Sequence, residues 1–266
     1  MDAYRNAYEV VGLDQRLADC ALGKINLPVI GWGPAEWYGF PPAMIPICST
    51  GSRPTYLGLW KHWFIDRPSS YVKMYVASGR QVIEVARTPD QLLTVIVMMS
   101  IANEDGIEPP LIEFAKQVRM DHQLDAIDAV SLETGDDAKG FVKLKSFQVL
   151  TPQSSVDDLS TYDGSFPLVI DRVAPADSCS FELVNRIPDA SLPGWIRASD
   201  RRQEAFEQRL SEKKFGEAWL LLNSTGWAIG NARTALQSLV RASNNRELGV
   251  VADAWCSVAD TRSGSY

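Results

Sequence analysis

The chain has two histidines, His62 and His122, and each stands among side chains relevant to chemistry. His62 lies in Trp60-Lys61-His62-Trp63. To act as a general base it needs a nucleophile or carboxylate converging on it. No GxSxG, HExxH, phosphate-cradling glycine loop or GxGxxG accompanies it in the sequence. Two readings stay open: a structural or interface histidine, and the base of a hydrolase whose site is lined by the surrounding aromatic residues. His122 sits between Asp121 and Asp125, but a single imidazole with acids at this spacing makes a weak metal site, and a solvated helix end is the simpler account. The cysteines Cys20, Cys48, Cys179 and Cys256 are scattered, with no CxxC and no close histidine, so they indicate neither a zinc knuckle nor a redox pair. Reduced, mostly buried thiols are expected, and no cofactor or metal is implied.

The strongest charge feature runs from Glu104 to Asp137. Ten acids, among them Asp121, Asp125, Asp128, Glu133, Asp136 and Asp137, face only Lys116 and Arg119, a balance of −8 in a chain whose net charge is −7. The Asp-x-Asp-x-Asp-Gly spacing of a calcium loop is missing. The segment reads either as a solvated face or as an electrostatic docking surface for a cationic protein. A pI near 5.0 argues against nucleic acid as a direct partner, because phosphate binding needs a basic footprint.

These residues have to be positioned by the elements around them. Met44–Cys48 and Thr55–Phe64 read as one hairpin around the turn chemistry of Ser49–Pro54. Tyr71–Ala77 and Gln81–Arg87 form the next, joined at Ser78-Gly79, with one face buried and the other partly wet. On this reading His62 lies within a strand and shares a face with Trp60 and Phe64. Thr88-Pro89-Asp90-Gln91 is a helix start, and the helix Pro89–Ala102 is apolar on nearly every side and so buried. One or two short helices precede the sheet, interrupted at Gly12. The Gly/Pro/Trp-rich stretch Gly31–Pro42 then supplies aromatic cover for an edge or face. Ten aromatic residues between Trp32 and Tyr75 read either as core or as an exposed stacking surface.

Beyond the buried helix, Leu111–Met120 is a further helix, Phe141–Leu150 a strand, Thr151–Pro167 a polar loop, and Phe166–Val173 and Ser180–Val184 short strands. Ile187–Pro193 reads as a linker. After it come helices at Asp200–Phe215, Glu217–Leu222, Asn231–Ala242, capped by Asn231, and Arg246–Ala259. The expectation is an α+β fold: an antiparallel meander sheet packed by helices over residues 1–186, followed by a helical C-terminal subdomain over 187–266. The longest apolar run, Leu92–Ala102, is too short to span a bilayer. The first residues carry acids and no apolar core of signal-peptide length, so a cytoplasmic protein without a membrane partner is expected.

The order of these elements, with Ile45-Pro46-Ile47 and Tyr56-Leu57-Gly58 in the meander and a Thr-Pro cap before the buried helix, resembles bacterial immunity proteins of the SUKH superfamily. The likeness covers roughly Met1–Ala102, extending toward Leu150, and assigns no counterpart to Trp195–Ala259. The resemblance implies a protein without catalytic chemistry that binds and neutralises a cognate toxin domain, commonly a basic nuclease. On that reading Glu104–Asp137 supplies the charge and Trp60, His62 and Trp63 the desolvated anchors. Enzyme, inhibitor and scaffolding module remain separate possibilities that fold alone does not distinguish.

Overall fold

The computed structural model describes residues 2–51, 54–64, 69–76, 81–104, 106–134, 143–144, 201–224, 226–260 and 264–266. The fold is α+β. Five strands, β1 (Trp32–Pro34), β2 (Met44–Thr50), β3 (Thr55–Trp60), β4 (Ser70–Tyr75) and β5 (Gln81–Ala86), form an antiparallel meander in sequence order. The two expected hairpins are present; the turn at Ser78-Gly79 lies outside the described residues. The first strand is an addition to the expected set. Three residues of the Gly/Trp/Pro-rich entry pair with Thr50, Ser49 and Cys48, and Pro34 is tolerated because β1 is an edge.

Pro46 falls inside β2, where a proline removes a ladder donor, and the register between β2 and β3 shifts at that point, between Pro46 and Cys48. The carbonyl of Pro46 accepts the Tyr8 hydroxyl at 2.8 Å. Opposite Pro46 stands Gly58. A Cβ at Gly58 would lie 2.5 Å from Met44 Sδ and 2.6 Å from the Ile45 carbonyl oxygen, so this close strand approach requires glycine.

The expected half-wet sheet holds only in part. In β4, Val72 and Met74 are buried while Lys73 and Tyr75 are half-buried, as alternation demands. All six residues of β3, and six of seven in β2, are buried, so both faces are covered there. One face looks onto α3 (Pro89–Glu104): Cys48 and Leu57 line an apolar cavity with Ile96 and Met99. The other is covered by the aromatic entry. Tyr56 lies 5.1 Å from Phe40, Phe40 lies 4.6 Å from Trp37, and Trp37 lies 5.7 Å from Trp255 of the last helix. Of the ten expected aromatic residues, Phe40, Tyr56, Trp60 and Tyr71 are core and the other six are half-buried.

The helix α3 begins as read. Thr88 Oγ1 accepts the Gln91 amide at 3.2 Å, and Gln91 Oε1 accepts the amide of Arg87 at 2.8 Å, so the glutamine reaches one residue beyond the usual capping box. Gln91 to Met98 are all buried. Before the sheet, α1 (Arg5–Val10) and α2 (Gln15–Ala21) are separated at Gly12, which has φ +64°. Asp14 caps α2, and its carboxylate binds Arg16, whose guanidinium also reaches Asp90 at 2.8 Å and the Val118 carbonyl at 3.2 Å.

After α3 come α4 (Pro109–Gln117), a 3-10 turn (Asp121–Gln123) and α5 (Leu124–Thr134). The fourth helix starts two residues earlier than read, at Pro109, and ends three residues earlier, because Arg119 takes a left-handed conformation, φ 59°, and the Met120 amide returns to the Ala115 carbonyl at 2.7 Å. Of the expected strand Phe141–Leu150 only Lys143 and Leu144 are described, and they are not in a strand. The rest of it, the loop Thr151–Pro167, the short strands Phe166–Val173 and Ser180–Val184 and the linker, with its boundary at 187, lie outside the described residues.

Four helices follow: α6 (Arg202–Ser211), α7 (Phe215–Leu222), α8 (Ile229–Ser243) and α9 (Arg246–Val258). Asn231 is not the cap of α8, which starts two residues earlier with Ala228 at the cap position and no side-chain bond. The asparagine that does cap is Asn245, whose Oδ1 accepts the Leu248 amide at 2.9 Å at the start of α9. These helices pack on the N-terminal elements. The last one lies against α1 and the 3-10 turn Asp2–Tyr4, and Trp255 Nε1 donates to the Phe40 carbonyl at 3.0 Å. Among the described residues no helix is long and apolar enough to cross a membrane.

Candidate docking surface

The two elements α4 and α5 are amphipathic. Leu111, Phe114, Ala115 and Val118 in the first, and Leu124, Ile127 and Val130 in the second, are buried, and both helices pack on α3. What they turn outward is acidic: Glu108, Glu113, Asp121, Asp125 and Glu133 are exposed and Asp128 is half-buried. Asp125 and Asp128, at i and i+3, share a side of α5, and Asp121 stands in the 3-10 turn immediately before it. The fold tolerates this cluster at a helix start because the N-terminal end of the helix dipole is positive.

Glu113 accepts Gln117 Nε2 at 2.9 Å, and Glu133 pairs with Lys143. His122 is exposed, with Gln123 Nε2 3.2 Å from its Nε2. Among the described residues no cation is paired with Asp121, Asp125 or Asp128. Asp136 and Asp137 lie outside the described residues.

The sequence reading missed an apolar component of this face. Leu132 is 81% exposed, seven residues after Asp125 on α5, and Ile112 on α4 is 37% exposed. Leu132 thus stands in water beside the carboxylates of α5. The signal was in the sequence: Leu132 falls off the Leu124, Ile127, Val130 stripe and onto the side of Asp125 and Asp128.

The aromatic candidates sit elsewhere. Trp60 is the last residue of β3, paired with Met44 and Ser70, and only 1% exposed. The strand stops there, so the alternation that put His62 on the face of Trp60 and Phe64 does not apply. His62 is in the connection to β4 and 7% exposed. Trp63 is half-buried, with Lys61 Nζ 5.2 Å from its ring centroid, and Phe64 lies 5.7 Å from Phe215 of α7. Of the three expected anchors only Trp63 has surface to offer. The structure holds the two sets apart: the aromatic one lies at the β3–β4 connection against α7, the acidic one on the outer side of α3.

Neither of two cavities at other places involves His62. One, of about 100 Å³, lies between α1 and α2 and is lined by Arg5, Glu9, Gln15 and Lys24 among others; the second is the apolar one around Cys48. Among the described residues no group of three or more histidine, cysteine, aspartate or glutamate side chains is placed to hold a metal ion. Cys20, Cys48 and Cys256 are free thiols, the first two buried. Compared with known proteins, the chain matches no protein-family model, no curated protein and no solved structure.

Proposed function

We propose that this protein is a cytoplasmic immunity protein that binds a cognate basic toxin, a nuclease or similar effector, and neutralises it by steric and electrostatic occlusion. The reading assigns it no catalytic step. The observation that carries the proposal is the acidic set Asp121, Asp125, Asp128 beside the exposed Leu132: carboxylates without a paired cation among the described residues, next to apolar surface in water. Like charges gathered on one face repel one another, and a cationic partner relieves that repulsion while covering the leucine. The resemblance carried by Ile45-Pro46-Ile47 and Tyr56-Leu57-Gly58 supports the same class of partner.

The test is protection in cells. A basic toxin domain sought among the products of the neighbouring genes is expressed with the wild-type protein or with Asp121→Lys/Asp125→Lys/Asp128→Lys. Growth with the first and arrest with the second, at equal amounts of folded protein, is the expected result. Equal protection by both would remove this face from the account, and arrest with both would remove the function.

A further inference from the structure

We draw no further inference here: the strongest candidate, the exposed Ile30 beside the small apolar cavity that Leu27, Trp32 and Met99 line at the β1 edge of the sheet, is an unpartnered apolar patch, and nothing in the structure shows what covers it.

Discussion

Asn223 Oδ1 accepts the backbone amide of Ala43 at 2.7 Å, while Asn223 Nδ2 donates to the Trp219 carbonyl at 2.8 Å, and both bonds are buried. One side chain at the end of α7 thus satisfies a donor just before β2, 180 positions earlier in the chain. Removing it leaves the Ala43 amide sealed from water without an acceptor. Asn223→Ala is expected to cost about 1–3 kcal/mol, read as a lower urea midpoint at unchanged slope. Asn223→Asp keeps the acceptor, and its charge in a closed site is expected to make it no better than alanine at neutral pH. An unchanged midpoint for Asn223→Ala would mean that the C-terminal helices are not tied to the sheet in this way.

Gly58 is a second structural commitment. Gly58→Ala puts a methyl group against Met44 Sδ and the Ile45 carbonyl. The sulfur can move and the carbonyl cannot without disturbing the ladder. A loss of about 1–3 kcal/mol is expected from overpacking, with only part of that loss removed when Gly58→Ala is made in a Met44→Ala background. Thermal unfolding of Gly58→Ala, Met44→Ala and the double variant checks this as a double-mutant cycle, because truncating the buried Met44 carries its own cost. A Gly58→Ala cost that vanishes in the Met44→Ala background would show that the backbone contact is unimportant.

Acid should weaken the clasp between α2 and α3. Burial pushes the Asp14 carboxyl up, but the hydrogen bonds and charge of Arg16, with the Arg16 and Leu17 amides, outweigh it and hold the pKa below the ordinary carboxylate value. A depressed folded value means that the stability Asp14 contributes is present above the ordinary carboxylate range and is lost as the pH falls through the folded value. Asp14→Asn is expected to flatten the fall in stability below about pH 4 and to lower stability at neutral pH. Urea titrations of both proteins between acid and neutral pH measure this, and parallel curves would contradict it.

Thiol chemistry reports on the packing of α9. Cys20 is buried and its thiol is pushed up to about 12, mainly by burial, and Cys48 is raised further by its own burial. Cys256 is half-exposed; burial raises its thiol too, and Arg233 pulls the other way. In a Cys179→Ser background a small alkylating reagent at neutral pH is expected to modify Cys256 first, with Cys20 and Cys48 reacting only at the rate of unfolding. Mass mapping that finds Cys20 or Cys48 modified as fast as Cys256 would show those two sites to be open.

The meander was legible because its strands alternate or run apolar between glycine and proline turns, and α3 because Thr88, Pro89, Asp90 and Gln91 each do what a helix start needs. Edge strand β1 was not, since three residues of Trp, Gly and Pro have no strand periodicity and pair only because Thr50, Ser49 and Cys48 present a ladder to them. The end of β3 was misplaced because Lys61-His62-Trp63-Phe64 continues the aromatic pattern after the pairing has stopped. In α8, tertiary burial of Ile229 extended the helix past the Asn231 cap. On the candidate surface the charge was plain in the sequence. The exposure of Leu132 and the closure of Trp60 and His62 depend on which neighbours cover each element, and that is a property of the fold.

The central claim, that negative charge on α5 and the turn before it draws in a basic partner, is tested most directly by the association rate of the proposed basic toxin domain measured across salt concentrations. Wild-type protein is expected to associate at least about tenfold faster at low salt than at high salt, and Asp121→Lys/Asp125→Lys/Asp128→Lys is expected to lose both the fast association and its salt dependence. An association rate that is indifferent to salt, or equal for the two proteins, would contradict the account.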